Sequence, residues 1–131
     1  MHEIERLTCL QDLDQFGSWQ TDVKLWRRTW PVLDRDVILL EDYESADING
    51  SCCIWSSSCV LAKFLELKSS DNAGLEGKRI VELGAGCGLV ALTTAAHGAN
   101  VVATERAECL PFLQRNIELN PFAATLPLRA E

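Results

Sequence analysis

The stretch Arg79-Ile80-Val81-Glu82-Leu83-Gly84-Ala85-Gly86-Cys87-Gly88 decides how the rest of the chain is read. Arg79 to Leu83 is a short apolar run with β-branched residues, bounded by Gly77-Lys78 and by Gly84. Such a run reads as a strand buried on both faces, as in a parallel sheet. Glycines then stand at alternate positions, and Leu89 to His97 reads as a helix stopped by Gly98, a residue suited to the position just past a helix end. Val101 to Ala103 reads as a second strand, with Glu105 at its end. Strand, glycine turn, helix, strand and terminal acid make one βαβ unit, with its crevice at the strand ends.

Chemistry follows from that order. A tight strand-to-helix turn needs positive φ, and a backbone without Cβ atoms lets a ligand come close. The helix after the turn aims its free N–H groups and positive dipole end at whatever sits there. Glu105 lies about twenty residues beyond Gly84, where an acid can bond the two hydroxyls of a ribose. An adenosine-containing cofactor is therefore expected. A dinucleotide fingerprint would need its third glycine at position 89, where Leu89 stands. That makes a nucleotide-dependent oxidoreductase the less favoured alternative.

What stands here is Glu82-x-Gly84-x-Gly86-x-Gly88, which resembles motif I of the class I (seven-strand) S-adenosylmethionine-dependent methyltransferases. Upstream, Gly50-x-x-x-Ile54-Trp55 and Val60-Leu61-Ala62-Lys63-Phe64-Leu65-Glu66 resemble the segment before motif I in their small protein-lysine methyltransferase branch, the methyltransferase-like 21 type. Downstream, Val101-Val102-Ala103-Thr104-Glu105 and Leu113-x-x-Asn116-x-x-x-Asn120 extend the likeness, which covers Ile48 to Asn120. The resemblance implies S-adenosyl-L-methionine as cofactor and a protein substrate methylated on a lysine side chain. It also implies a cofactor site made of Trp55, Glu82, Gly84, Ala85, Gly86, Gly88 and Glu105. In the family the matching Trp lies beside the cofactor, the glycine turn wraps its methionine end, and the acid binds its ribose. Two positions depart from the pattern: Ser56 stands where Asp or Pro is common, and Glu105 replaces the commoner Asp. As a residue in its own right, Trp55 also reads as a core anchor for its helix.

Around this centre the remaining elements are plainer. Val23 to Val32 and Val37 to Leu40 read as a β-hairpin turned by Leu33-Asp34-Arg35-Asp36, with its tryptophans packing on the sheet or covering a groove. Residues 1–23 read as a mobile arm or a helix, and Glu41 to Gly50 as an acidic loop. A helix is expected from about Ser57 to Leu67, capped by Ser56 or Ser57, with Val60, Leu61, Phe64 and Leu65 as its apolar stripe. A polar linker follows. Another helix is expected from Glu108 to Leu119, with Leu110, Leu113 and Ile117 toward the sheet and Asn120-Pro121 as its stop. Thr125 to Glu131 reads as the beginning of a third strand.

Composition sets the outer limits. At 131 residues the chain holds at most one domain, and 47% hydrophobic content is that of a folded protein. A formal charge of −7 disfavours nucleic acid and suits a basic protein partner. No apolar run approaches membrane-spanning length, and Met1 to Phe16 lacks the apolar core of a signal peptide. The 6 cysteines form no C-x-x-C pair and have only His2 and His97 to join them, so no metal site is expected. They read as reduced thiols of a cytoplasmic protein, with the nucleus as a second compartment.

The expected fold is therefore α/β: the first, cofactor-binding half of a Rossmann-like doubly wound parallel sheet, with an N-terminal β-hairpin extension. Residues 1–47 form the arm and hairpin and 48–131 the cofactor-binding βαβαβ part of a single, incomplete domain. The acid-x-x-aromatic signature that the family carries on its fourth strand is not found after Gly88, so no catalytic residue is assigned. On this reading the chain is a truncated form, weak or inactive alone, whose first strand leaves an open edge for association. The alternative is a non-catalytic interaction or regulatory fragment of such an enzyme.

Overall fold

The computed structural model describes residues 4–6, 25–42, 52–69 and 74–131. Val23, most of the arm, the loop past Asp42 and part of the polar linker lie outside them. The elements run β1 (Ile4–Arg6), β2 (Leu25–Val32), β3 (Arg35–Asp42), α1 (Ser56–Ser69), β4 (Arg79–Leu83), α2 (Leu89–Ala96), β5 (Asn100–Thr104), α3 (Leu110–Glu118), a 3-10 turn (Pro121–Thr125) and β6 (Leu128–Ala130). Two three-stranded sheets result, an antiparallel one ordered β1-β2-β3 and a parallel one ordered β4-β5-β6.

The hairpin forms as its β-branched and aromatic content requires, with Val32 opposite Arg35 at the turn and Leu25 opposite Asp42 at the far end. Glu41 and Asp42 extend the second strand instead of opening a loop. Part of the expected mobile arm is a strand too: Ile4 lies opposite Arg28 and Arg6 opposite Trp26. Three residues are too few for their alternation to be seen in a sequence.

Strand β3 would be an edge, and its outward groups are closed by two side chains and a backbone carbonyl. Asn120 accepts from the Ile38 N–H at 2.7 Å and donates to the Ile38 carbonyl at 2.8 Å. Asn116 does the same at Leu40, at 2.8 and 3.1 Å. The Asp42 N–H donates to the Cys52 carbonyl at 2.8 Å. The spacing fits because four residues of helix rise about 6 Å and two residues of strand about 6.8 Å. Asn-x-x-x-Asn is thus a helical ruler laid along a strand, and it covers an edge that would otherwise invite pairing.

In the parallel sheet Ile80 pairs with Val101 and Val101 with Leu128. These residues, with Ala103 and Ala130, pack on Ala91 and Ala95 of α2 and Leu113 of α3. The opposite face is open. Strand β4 alternates between exposed and half-buried positions, with Val81 64% and Leu83 82% exposed. The expectation of a strand buried on both faces is corrected here: β5 covers one edge of β4 and α2 one face, and no described element covers the other face.

Helix α1 corrects a second expectation. Val60 (70% exposed) and Phe64 (52%) point outward with Leu61, while buried Ala62 and half-buried Cys59 and Leu65 pack inward. The helix carries two apolar stripes, and sequence spacing alone does not choose between them. Contact with α2 favours the stripe centred on the small Ala62. Ser56 and Ser57 fall within the helix, so Trp55 precedes its first turn, its carbonyl accepting from Ser58 and Cys59 at 3.0 and 3.3 Å.

Candidate functional site

The carboxyl ends of β4 and β5 meet the N-terminus of α2 at the glycine turn. Gly84, Gly86 and Gly88 adopt φ of +65°, +55° and +86°, the left-handed region that other residues avoid. A Cβ at Gly84 would meet nothing within 4 Å, so this part of the turn faces open space. Gly88 is different, since a Cβ there would lie 2.8 Å from Leu113 Cδ1. One glycine leaves room for a ligand and the other lets α2 approach α3.

The turn is held from beneath. The Ala85 N–H donates to the Thr104 carbonyl at 3.0 Å, and the Gly88 N–H donates to the Ala85 carbonyl at 2.9 Å. Glu105 accepts from the Gly86 N–H at 2.8 Å with one oxygen and from the Arg106 N–H at 2.8 Å with the other. Its carboxylate still has acceptor capacity, since a carboxylate offers about four lone-pair sites. The acid expected to hold a ribose is thus also the clasp of the glycine turn, a role its spacing did not reveal.

Glu82 lies under the start of α2 rather than in the cleft. Burial pushes its carboxyl up to about 7, the Ala91 N–H works against this, and nearby Glu105 adds to it. The second wall is the segment before α1. Trp55 is 60% exposed, so it is no core anchor. It lines a cleft of about 310 Å³ with Cys53, Ile54, Ser57 and Ser58, facing Gly84, Ala85, Gly86, Cys87, Leu89 and Glu105. Five residues expected at a cofactor site, Trp55, Gly84, Ala85, Gly86 and Glu105, therefore meet in one cleft. Glu82 and Gly88 support it from below.

Sequence reasoning missed several participants. Cys53, Ser57 and Ser58 line the cleft. Burial raises the Cys53 thiol above its ordinary value and Cys52 to about 12, so both are neutral thiols at physiological pH. Glu41, fully buried, accepts from the Ile54 N–H at 2.6 Å. Asn116, also fully buried, donates to the Cys87 carbonyl at 3.0 Å. An acid directly after the apolar run Val37 to Leu40 was a signal for Glu41; nothing in the spacing tied Asn116 to the turn. Among the described residues no group of three or more His, Cys, Asp or Glu could hold a metal ion, and no helix is long and apolar enough to cross a membrane.

A parallel β4-β5-β6 sheet with an acid-clasped glycine turn at its strand ends defines an α/β protein of Rossmann-like type. Residues 32–127 match the family model described as lysine methyltransferase, and the chain belongs to that family. It is 46% identical over 67 residues to the zebrafish (Danio rerio) protein N-lysine methyltransferase METTL21A, covering 51% of this chain and 29% of that protein. To the mouse (Mus musculus) METTL21A it is 33% identical over 92 residues, 70% of this chain and 40% of the relative. The chain thus spans well under half the length of these relatives. A solved structure of a SAM-dependent methyltransferase from Agrobacterium tumefaciens matches the fold with a TM-score of 0.58 at 18% identity, covering 92% of this chain and 40% of that one.

Proposed function

We propose that the cleft between Trp55 and the glycine turn binds S-adenosylmethionine, and that the chain is the cofactor-binding part of an enzyme methylating a lysine of a protein substrate. The observation that carries this is Glu105 clasping Gly86 at the strand ends, opposite Trp55 across the cleft. The residues present fit the cofactor. Gly84 leaves its backbone open, Glu105 has acceptor capacity for ribose hydroxyls, and Trp55 offers a face for an adenine or a sulfonium. Among the described residues no lysine or arginine lines the cleft, whereas the Glu105 carboxylate does. That charge suits a cationic cofactor and opposes a pyrophosphate.

When bound, the cofactor supplies a methyl group on a sulfonium, already a good leaving group. The chain's part is to hold it: the glycine turn and α2 N-terminus at one end, Glu105 at the other, Trp55 across the opening. Shielding by Trp55 and Ile54 lowers the local dielectric and strengthens those contacts. A lysine amine presented at such a site reacts in its neutral form, which desolvation favours. The names of the relatives support a protein lysine as the acceptor. No residue of this chain is assigned to the acceptor amine.

Calorimetric titration tests the cofactor. S-adenosylhomocysteine should bind and NAD should not; tight NAD binding without response to S-adenosylhomocysteine overturns the reading. The uncovered face of β4 supports a second role beside the first, association with another chain through Val81 and Leu83.

A further inference from the structure

The hairpin reads as an extension of the fold, yet its second strand reaches both walls of the cleft. At Leu40 the strand is bound by Asn116, whose amide nitrogen also donates to the Cys87 carbonyl at 3.0 Å. One residue on, Glu41 accepts the Ile54 N–H at 2.6 Å, and Asp42 donates to the Cys52 carbonyl at 2.8 Å. Leu40 thus leads to the glycine turn, and Glu41 and Asp42 lead to the segment bearing Trp55.

We propose that β3 gauges the cleft: Asn116 and Glu41 are positioning residues that set the glycine turn and the Trp55 segment at the separation the cofactor needs. This rests on the cofactor reading above and adds to it what holds the two walls apart.

Each link fixes a peptide plane, and peptides are rigid units. Asn116 holds the Cys87 carbonyl, so it holds the Cys87–Gly88 peptide, whose N–H closes the turn on Ala85 at 2.9 Å. Glu41 holds the Cys53–Ile54 peptide, two peptide units before the one whose Trp55 carbonyl begins α1. Asn116 has one productive orientation, because flipping its amide would set N–H against the Leu40 N–H and oxygen against two carbonyls. Both side chains are fully buried, so water does not replace these bonds.

Asn120 supplies an internal control. It grips β3 as Asn116 does, at Ile38, but its remaining donor goes to the Asn116 carbonyl and not to the glycine turn. Asn116→Asp and Asn120→Asp both remove amide donors that grip β3; only the first releases Cys87. The full chain and its variants are compared by amide hydrogen exchange without ligand and by titration with S-adenosylhomocysteine. Asn116→Asp should speed exchange in the glycine turn and weaken binding about tenfold, the effect of a lost buried hydrogen bond. Asn120→Asp, at matched loss of stability, should leave both close to the parent. On the other wall, Glu41→Ala should speed exchange at Ile54 and weaken binding, and Glu41→Gln, which keeps an acceptor oxygen, should restore both.

Equal effects of the two asparagine variants at equal stability, or no rescue by Glu41→Gln, would reduce these residues to ordinary structural ones. If Asn116→Asp does not fold, the Glu41 pair decides. If the parent binds no S-adenosylhomocysteine, the cofactor reading fails, and local exchange in the ligand-free chains still decides whether β3 sets the walls.

Discussion

Glu105 and Glu82 are separated by one β-ladder and differ in everything that matters chemically. Glu105 accepts two backbone N–H groups and faces the cleft; Glu82 is half-buried beneath it and held toward its protonated form. Glu105→Ala should weaken S-adenosylhomocysteine binding by about ten- to a hundredfold, since bonds to a charged group contribute roughly 1.5–3 kcal/mol. Because the same change unclasps Gly86, Glu105→Gln should lose less, and calorimetry on the two separates charge from clasp. An unchanged affinity in both would place the ribose elsewhere. For Glu82 the folded state holds the proton more tightly than the unfolded chain, with a value of about 7 against the ordinary 4.5. Its contribution to stability is therefore full below about 4.5 and lost as pH rises through about 7. Urea unfolding should show stability falling from pH 5 to pH 8 by an increment of the order of 2–3 kcal/mol that Glu82→Gln abolishes. A parent and variant with parallel pH profiles would show that the carboxyl titrates normally.

At the scale of elements, the glycine turn joins requirements that a sequence displays to others that it hides. Gly88 sits at φ +86° with Leu113 Cδ1 2.8 Å from where a Cβ would be, and Leu113 is fully buried. Gly88→Ala should cost about 2–3 kcal/mol, about 1 from the left-handed backbone and the rest from displaced packing, read as a lower denaturant midpoint. The strand, turn, helix and strand order of this region was legible because each boundary carries a glycine or an apolar run with its own local cause. That Gly84, Gly86 and Glu105 share one cleft was legible for the same reason, since they are spaced along a single βαβ unit. What stayed hidden depends on contacts between distant segments. The inward stripe of α1 could not be chosen because Cys59-Ala62-Leu65 and Val60-Leu61-Phe64 are both helical stripes. The burial of β4 depends on neighbours rather than on its own five residues. Asn116-x-x-x-Asn120 was visible as a pattern, but its meaning lies in β3, more than seventy residues earlier in the chain, at a separation of 76 for Asn116 and Leu40.

For the whole molecule, the edges of β3 and β4 are treated differently. The outward edge of β3 is closed by two asparagines and the Cys52 carbonyl, whereas β4 offers an edge and a face to which no described strand or helix is paired. On that side Val81 and Leu83 are exposed; α1, which packs against α2, separately exposes Val60, Phe64 and Leu67. Burying one such side chain stabilises a contact by roughly 1.5–3 kcal/mol, so several together can drive association. An edge strand also offers backbone N–H and carbonyl groups that a second strand can pair. Sedimentation velocity should therefore show assembly that grows with concentration. Val81→Lys should suppress it, because the new charge would have to be desolvated in any paired or face-covered arrangement. Since Val81 already faces solvent and lies outside the cleft, its replacement should change unfolding stability by less than about 0.5 kcal/mol and leave S-adenosylhomocysteine affinity intact. A parent that stays monomeric throughout, or a Val81→Lys variant that assembles as readily, would show that this face is not the contact.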